Sequence, residues 1–276
     1  MKTEHKKLLD FLLCGEGNYT VHHIKKSKPR MVFEPNEKLR ALQKFAVQKV
    51  FAALPVSKYS TAYEKGCSIL RNAAAHKKAK YIAKYDIADF FGSVSYTLFS
   101  RVLSKKRYSQ DDIKLLWLIV SLRGGLPVGA YSSPFVSNRL LFAFDKAIGK
   151  AFPRVTYTRY ADDMAFSSAE PLPPRLEGEL ALRLGEAGLA LNPKKSRTYT
   201  PKSPKRITGI SINEKGLTVG KRYKRALKKR LYDFTVKGKG NARKLAGHLA
   251  HLRLVEPDYY RKLIKKYNFN EKRKGK

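Results

Sequence analysis

Apolar residues recur with helical spacing in several stretches of the chain, and local signals mark where these stretches begin and end. The apolar positions between Leu39 and Leu54 predict a helix that Asn36 caps and Pro55 ends. The same reasoning predicts four more helices. The first is opened by Ser109 or Asp111 and runs through Leu122, and the second runs from Ser133 and Pro134 to about residue 150. The third ends at Gly188, and the fourth covers residues 221–230.

Short segments rich in β-branched and aromatic residues predict strands. Residues 81–85 form one such segment, residues 155–160 and 164–167 predict a hairpin, and residues 208–219 suggest a second hairpin. Because these strands alternate with helices, we predict an α+β fold in which helices cover one face of a small sheet.

Composition narrows the possible partners. The chain has 276 residues, 43% of them apolar, so it can form a substantial core. Lys and Arg number 58 against 22 Asp and Glu, and the net charge of +36 attracts nucleic acid or an anionic membrane surface. The longest strictly apolar run, residues 115–120, is too short to span a bilayer, and the N-terminus is unlike a signal peptide. Cys14 and Cys67 are too few for a disulfide scaffold or a four-cysteine zinc site. We therefore expect a cytoplasmic, nucleic-acid-binding protein with no membrane partner.

The positive charge is concentrated near the C-terminus. Residues 192–276 contain 27 Lys and Arg against 5 Asp and Glu, and residues 221–230 contain seven basic residues. A charged helix face is usually just solvated, but such a face normally mixes both signs. The single sign favours RNA binding, and we expect residues 270–276 to be a disordered basic tail. The candidate RNA-binding residues of this segment are Lys221, Arg222, Lys224 and Arg225.

Three carboxylates stand out in a chain with so few acids. Asp162 and Asp163 lie between the strands of the predicted hairpin, and Asp86 ends another apolar strand. An Asp-Asp pair is usually a turn or a helix cap, and Asp111-Asp112, at a predicted helix start, fits that alternative. Carboxylates at the ends of two strands instead fit a site for two Mg²⁺ ions, as used in phosphoryl transfer.

Four ordered motifs give the chain a resemblance to reverse transcriptases. Tyr160-Ala161-Asp162-Asp163 resembles the family's active-site motif, and residues 86–91 resemble its first aspartate motif. Residues 126–134 resemble the nucleotide-pocket motif and residues 191–195 the Asn-x-x-Lys motif.

Two further signatures resemble those of bacterial retron enzymes. Asn-Ala-Ala-Ala-His at residues 72–76 matches an Asn-Ala-x-x-His signature, and Ile-Thr-Gly at residues 207–209 is similar to a Val-Thr-Gly signature. The length, with no appended nuclease domain, also suits a retron enzyme. The resemblance covers roughly residues 20–265.

The resemblance implies a right-hand polymerase fold. Fingers and palm would occupy residues 20–220, preceded by an N-terminal helix over residues 1–19 and followed by a basic helical thumb and tail over residues 221–276. The implied activity is RNA-directed DNA synthesis from deoxynucleoside triphosphates. A retron enzyme copies its cognate structured noncoding RNA, primes from an internal guanosine 2′-hydroxyl and makes branched, RNA-linked single-stranded DNA. Such systems serve anti-phage defence, usually with a separate effector protein.

The resemblance also assigns the reacting groups. Asp86, Asp162 and Asp163 would bind two Mg²⁺ ions, with the backbone carbonyl of Ile87 as a further ligand. Lys195 matches the lysine that protonates the departing pyrophosphate, and Lys194 is its rival.

Five residues are implied to contact the nucleotide. Phe91 matches the ring that excludes a ribose 2′-hydroxyl, although in a strand only one of Phe90 and Phe91 could face the pocket, and Phe91 could be a core residue instead. Val128 stands where the family commonly has Gln, so it donates no hydrogen bond to the nucleotide. Arg30 would grip the triphosphate, with Lys25, Lys26 and Lys28 as competitors. The remaining two positions are Asp89 and Gly129, the latter allowing close backbone approach.

The retron signatures imply contact with RNA, or support of an RNA-binding surface, by Asn72, His76, Thr208 and Gly209. We place Asn72 and His76 on one helix face, and a structural histidine is the plainer interpretation of His76. Two other functions compete with the retron assignment. One is an intron-maturase-like reverse transcriptase, and the other is a basic RNA-binding protein without catalysis, which would not need the three aspartates together.

Overall fold

The computed structural model describes residues 2–24, 29–106, 108–214 and 216–269, with side chains from Lys6 onward. Lys25, Lys26, Lys28 and the predicted tail therefore lie outside the described residues. The described helices are α1 (Lys2–Leu13), α2 (Glu37–Lys49), α3 (Ile69–Ala74), α4 (Phe90–Ser93), α5 (Tyr96–Ser104), α6 (Gln110–Val120), α7 (Ser133–Leu140), α8 (Phe142–Ala151), α9 (Leu176–Glu186), α10 (Lys221–Thr235), α11 (Ala242–Val255) and α12 (Pro257–Lys266). The described strands are β1 (Tyr19–Ile24), β2 (Arg30–Pro35), β3 (Tyr81–Asp86), β4 (Thr156–Tyr160), β5 (Asp163–Ser168), β6 (Arg197–Tyr199), β7 (Lys205–Ile207), β8 (Ile210–Asn213) and β9 (Gly216–Thr218).

A four-stranded antiparallel sheet lies at the centre of the fold, with strand order β4-β5-β3-β6. The hairpin predicted around residues 155–167 is confirmed as β4 and β5, and its turn is Ala161-Asp162. In the register of β3 and β5, Asp86 lies directly opposite Asp163. The sheet alone therefore brings together two carboxylates that are far apart in sequence.

The main hydrophobic core joins one face of this sheet to helices α1, α2, α5, α6, α7, α8 and α9. Phe51, Phe99, Ile113 and Phe166 are completely buried in it. Leu12 of α1 also belongs to this core, so the N-terminal helix packs on the body of the protein. The predicted α+β class is confirmed, but the expectation that helices cover only one face of the sheet is wrong, because Ile82 and Ala165 on the opposite face pack against a second core that includes helices α10, α11 and α12.

Capping residues fix several helix starts as predicted. The Asn36 side chain accepts a hydrogen bond from the backbone N–H of Leu39 at 2.9 Å, and Ser109 forms a capping box with Asp112. Two predicted ends are wrong: the α2 helix stops at Lys49, before a short 3₁₀ turn, and α6 stops at Val120.

The long helix predicted from Ser133 to about residue 150 is interrupted. It breaks at Leu141, between α7 and α8, and Ser132 rather than Ser133 precedes its first turn. The Ser133 hydroxyl donates instead to the carbonyl of Pro127, at 2.7 Å. Leu140 and Leu141 are both buried, so the break allows two consecutive apolar side chains to reach the core.

The β1–β2 hairpin lies outside the central sheet, and the sequence pattern did not predict it. It is joined to the segment after α6 by a 2.7 Å hydrogen bond from the N–H of Phe33 to the carbonyl of Val128. Gly129 has a φ of +106°, and a Cβ there would lie 2.5 Å from Cγ1 of Val32. Glycine is thus required at this position for the close approach to the hairpin.

A second hydrophobic core forms on the C-terminal side of the sheet. It joins Ile82 and Ala165 of the central sheet to the three-stranded β7-β8-β9 sheet and to helices α10, α11 and α12. The β7–β9 sheet therefore packs with the C-terminal helices. Within the described residues, none of the helices combines the length and apolarity needed to cross a bilayer.

Candidate active site

A cavity of about 740 Å³ lies between the β1–β2 hairpin, helix α4 and the end of the central sheet. It is lined by both charge signs and by aromatic rings, and most of the predicted catalytic and nucleotide-binding residues border it. These are Asp86, Ile87, Asp89, Phe91, Val128, Asp162, Lys195 and Arg30.

The sheet end and its turn bring the three predicted carboxylates together. Asp86 closes β3 and is 3% exposed, while Asp162 and Asp163 are half-buried. The N–H of Ile87 donates to the carbonyl of Asp162 at 3.1 Å, which ties the end of β3 to the β4–β5 turn. The site is therefore built from backbone pairing as well as from side chains.

The Asn-x-x-Lys segment binds both carboxylate oxygens of Asp86. Asn192 Nδ2 donates to Oδ1 at 3.3 Å, and Lys195 Nζ donates to Oδ2 at 2.7 Å. The ammonium group also lies 4.0 Å from Oδ2 of Asp162. Partial burial acts to lower the pKa of Lys195, but the hydrogen bond to Asp86 and the nearby carboxylates raise it on balance. The structure thus places Lys195, rather than its neighbour Lys194, at the cavity.

Burial, and after it the charge of neighbouring carboxylates, perturbs the pKa values of Asp162 and Asp163. Burial, followed by the charge of Asp86, raises the pKa of Asp162 to about 6. Burial also raises the pKa of Asp163, although the charge of Lys84 opposes the shift. Clustered carboxylates whose pKa values rise in this way gain from a nearby cation.

The donor chemistry of the site fits a hard divalent cation. Carboxylate oxygens are the ligands that Mg²⁺ prefers, and such an ion would relieve the repulsion that raises the Asp162 pKa. Although the three aspartates are neighbours at the end of the sheet, among the described residues no three Asp, Glu, His or Cys side chains are close enough together to form a metal-ligand group. Here the Lys195 ammonium bridges Asp86 and Asp162 instead.

Phe90 and Phe91 lie in a helix and not in the strand that was assumed in the sequence analysis. Phe90 and Phe91 form the first turn of α4 and both residues border the cavity; their ring centroids are 5.6 Å apart, and Phe90 also belongs to the main hydrophobic core. The strand-based argument that only one could face the pocket is therefore wrong. The backbone of α4 packs against residues 125–126. The Phe91 carbonyl accepts a 2.8 Å hydrogen bond from the N–H of Leu126, and a Cβ on Gly125 would lie 2.5 Å from the carbonyl oxygen of Gly92.

The remaining nucleotide-site candidates occupy different parts of the cavity. Arg30 is exposed at the first position of β2, and Val128 is 40% exposed. Asp89 lies at the start of α4 in the left-handed region, with a φ of +38°. The close approach that requires glycine at position 129 is to Val32 of the hairpin, so Gly129 would affect the nucleotide site through that hairpin.

Asn72 and His76 are buried, which excludes direct contact with RNA in this structure. Each is 1% exposed. His76 Nδ1 bonds the Ser167 hydroxyl at 2.6 Å, and Nε2 bonds the Thr158 hydroxyl at 2.7 Å. Burial lowers the pKa of His76 to about 4. Helix α3 ends at Ala74, so His76 lies beyond the helix on which we placed it.

The two retron signatures meet in space. The Thr208 hydroxyl donates to the carbonyl of Ile69 at 3.1 Å and accepts from Asn72 Nδ2 at 3.4 Å. Thr208 and Gly209 form the turn between β7 and β8, both with positive φ. Asn72 also accepts from Thr158 at 2.6 Å, so the signatures connect the central sheet to the C-terminal unit. The arrangement agrees with the structural interpretation of His76, and support of an RNA-binding surface by Asn72 and His76 stays a prediction.

Helix α10 carries the predicted basic surface. Its apolar side is confirmed by the complete burial of Leu227 and Leu231. Lys221, Arg222 and Arg225 are exposed. Lys224 differs, because its Nζ lies 2.5 Å from Oε1 of Glu256 and 4.5 Å from the centroid of the Tyr259 ring. Lys224 is therefore partly neutralised within the protein.

Two cavity residues escaped the sequence analysis. Tyr63 has a φ of +66°, and burial with the charge of Asp162 raises its pKa to about 12. Arg123 pairs with Glu16 at 2.6 Å, and its guanidinium carbon lies 5.5 Å from the centroid of the Phe33 ring. Neither belongs to a periodic pattern or a recognised motif, so no sequence signal marked them.

Comparisons with known proteins agree with this geometry. A family model described as reverse transcriptase (RNA-dependent DNA polymerase) matches residues 22–212. The chain belongs to the reverse transcriptase family, whose members catalyse RNA-directed DNA synthesis and use divalent metal ions.

Within that family it is of the bacterial retron type, as expected from residues 72–76. It is 28% identical over 273 residues to the retron Ec86 reverse transcriptase of Escherichia coli, covering 96% of this chain and 85% of that protein. It is 30% identical over 247 residues to the retron Mx162 reverse transcriptase of Myxococcus xanthus, covering 76% of this chain and 51% of that one.

A solved structure shares the fold. A foamy viral protease–reverse transcriptase in complex with double-stranded DNA superposes with a TM-score of 0.51 at 18% identity, over 91% of this chain and 38% of that one. The predicted α+β polymerase fold is confirmed.

Proposed function

We propose that this enzyme copies a cognate structured noncoding RNA into branched, RNA-linked single-stranded DNA. One observation carries the proposal: Asp86, Asp162 and Lys195 border one cavity, and Asp163 lies opposite Asp86 in the sheet register. That constellation suits phosphoryl transfer, in which positioning and electrostatics do most of the work. The retron relatives support the choice of RNA template.

Asp86, Asp162 and Asp163 would hold two Mg²⁺ ions, with the Ile87 carbonyl as a further ligand. When bound, these ions supply charge neutralisation and a lowered pKa for the priming hydroxyl. Lys195 keeps its proton at neutral pH, because Asp86 raises its pKa, and it borders the cavity. Its position at the cavity is what supports a role as the donor of a proton to the departing pyrophosphate.

The incoming deoxynucleoside triphosphate would occupy the rest of the cavity. Arg30 supplies a planar guanidinium for the phosphates. Phe91, whose backbone carbonyl accepts a hydrogen bond from the N–H of Leu126, would present a ring that excludes a ribose 2′-hydroxyl. Asp89 and Val128 complete the surroundings of the nucleotide, and Gly129 keeps the β2 strand close.

The RNA and its DNA product would lie across the basic C-terminal surface. In this proposal residues 20–220 are fingers and palm, residues 221–276 are the thumb, and residues 1–19 are an N-terminal helix. Lys221, Arg222 and Arg225 contact phosphates. The turn at Thr208 and Gly209 would present a surface for structured RNA. Asn72 contacts this turn through the Thr208 hydroxyl, and His76 contacts Thr158, which in turn donates to Asn72.

The biological setting completes the proposal. By kinship with retron enzymes, the protein acts in the cytoplasm, in anti-phage defence, together with a separate effector. Its free cysteines, Cys14 and Cys67, are compatible with a reducing compartment.

Expression of the gene together with its flanking DNA tests this proposal. Total nucleic acid is extracted and treated with ribonuclease and with a 2′–5′ debranching enzyme. We expect a single-stranded DNA whose mobility shifts after debranching and which is absent in an Asp162→Ala/Asp163→Ala strain. Synthesis of DNA that debranching leaves unchanged would contradict the retron priming chemistry while leaving the polymerase assignment intact.

A further inference from the structure

A buried ion pair lies directly behind the catalytic turn. The side chains of Arg159, on β4, and Asp145, on α8, are both 0% exposed. Their contact is bidentate, with Nε to Oδ1 at 2.9 Å and Nη2 to Oδ2 at 2.7 Å. The Tyr157 hydroxyl donates to the same carboxylate at 2.6 Å. A buried pair is tolerated only when its hydrogen-bonding groups are satisfied in this way.

Arg159 makes a third contact through Nη1, the guanidinium nitrogen that Asp145 does not bind. Its Nη1 donates to the carbonyl of Ala161 at 3.0 Å. Ala161 has a φ of +58°, a left-handed conformation that alanine disfavours. Because a peptide group is planar, holding this carbonyl also fixes the N–H of Asp162 and the direction in which the chain enters the aspartate pair.

The backbone of Arg159 is itself fixed on both sides. Its N–H donates to the carbonyl of Tyr59, and its carbonyl accepts from the N–H of Thr61, each at 2.8 Å. On the other edge it pairs with Met164 of β5. The guanidinium therefore has little freedom to move with the turn. Because it binds both Asp145 of α8 and the carbonyl of Ala161, it fixes the turn relative to α8.

We propose that the Arg159–Asp145 pair positions the turn that carries Asp162 and Asp163, so that both carboxylates stay aligned with Asp86. Arg159 and Asp145 are positioning residues, since both are fully buried and act through the carbonyl of Ala161. The inference rests on the proposed catalytic role of Asp162 and Asp163.

The test removes both charges at once. Breaking one partner would leave a buried unpaired charge and endanger folding, whereas neutralising both avoids that cost. Asp145→Asn with Arg159→Met leaves an amide oxygen as acceptor for Tyr157 and removes the donor to Ala161. The matched control is Glu64→Gln with Arg139→Met. Arg139 is 6% exposed and pairs with Glu64 at 2.6 Å, but it donates to the carbonyls of Phe51 and Phe135.

Steady-state incorporation of a single deoxynucleotide on a primed RNA is then measured in Mg²⁺. Loss of a charge-assisted hydrogen bond to the turn should lower kcat about 10- to 100-fold. The KM for the nucleotide and the affinity for the primed RNA should stay within about twofold of the control pair. Arg159→Lys is a second variant, because one ammonium keeps the buried charge but cannot serve Asp145 bidentately and Ala161 together.

Two readouts separate positioning from general destabilisation. Hydrogen–deuterium exchange should rise at the Ile87 amide, which donates to the Asp162 carbonyl, without rising in the control pair. Adding Ala161→Gly to the double variant should recover kcat at least about threefold, because glycine adopts the left-handed turn without help.

Equal kcat losses in the double variant and the control pair would overturn the inference. So would a double variant with wild-type kcat, or one that Ala161→Gly does not improve. Failure of the underlying assignment is separately visible, because an Asp162→Ala/Asp163→Ala enzyme that still polymerises would refute the catalytic role itself.

Discussion

The buried imidazole of His76 makes a sharp prediction about stability and pH. Its partners are two hydroxyls, on Thr158 and Ser167, and burial lowers its pKa to about 4. In the unfolded chain a histidine titrates near pH 6.5. Between about pH 4 and about pH 6.5, the His76 side chain is therefore neutral in the folded protein but protonated in the unfolded chain.

The sign of the effect follows from linkage. Between about pH 6.5 and about pH 4 the unfolded state binds more protons, so stability falls as pH falls. A shift of roughly 2.5 pKa units corresponds to about 3 kcal/mol, all of it present above about pH 6.5 and lost by about pH 4. Below the folded pKa both states are protonated, and no further loss comes from this residue.

The assay compares wild type with His76→Gln by urea unfolding at about pH 7, 5.5 and 4. Carboxylates elsewhere titrate equally in both proteins, so the difference between them isolates His76. We expect the variant to be less stable at neutral pH, because hydrogen bonds of the imidazole are lost, and the difference to shrink by about 3 kcal/mol toward pH 4. A difference that does not change with pH would refute the buried, neutral histidine.

Three further predictions concern the nucleotide and RNA contacts. Phe91→Ala should admit ribonucleotides, since the ring excludes a 2′-hydroxyl; an unchanged ratio of ribo- to deoxynucleotide incorporation would move this role to Phe90. Val128→Gln should improve nucleotide affinity or fidelity by about two- to tenfold, which is the expected effect of one added hydrogen bond. Steady-state incorporation of matched and mismatched nucleotides measures both quantities, and no improvement in either would mean that the pocket is adapted to valine. Neutralising the four basic residues of α10 should flatten the salt dependence of RNA binding. Each phosphate contact that is lost should reduce the slope of log affinity against log salt concentration by roughly 0.7–0.9. Lys224 should contribute least, because Glu256 already pairs with it, and an unchanged slope would mean that this helix face is only solvated. The four residues are Lys221, Arg222, Lys224 and Arg225.

Local signals predicted the elements that local chemistry fixes. The turn-linked strands around Asp162 and the helix start at Ser109 depend on neighbours within a few residues. The hairpin was predicted from sequence, and Ser109 was one of two residues predicted to open the helix. The β1–β2 hairpin was not, because five of the six β1 residues are exposed and the strand has no buried face to impose a visible alternation.

Partners far away in sequence decide the features that sequence reasoning missed. The hydrogen-bond partners of His76 are hydroxyls 82 and 91 positions away in sequence, so its spacing from Asn72 indicated a shared helix face but could not show which residues surround it. Arg159 lies in the same strand as the active-site motif, yet nothing local shows that Asp145 neutralises it or that it holds the carbonyl of Ala161. Such residues become visible only once the sheet register and the α8 packing are known.

The central claim is that Asp86, Asp162 and Asp163 form the polymerase site. It is tested by measuring Mg²⁺-dependent DNA synthesis on a primed RNA by Asp162→Ala/Asp163→Ala, alongside binding of the same RNA. The control is Asp111→Ala/Asp112→Ala, which removes equal charge at the start of α6. We predict that synthesis is abolished only in the first variant and that both bind RNA as tightly as wild type, because loss of negative charge does not weaken polyanion binding. Substantial synthesis by the Asp162→Ala/Asp163→Ala enzyme would contradict the account.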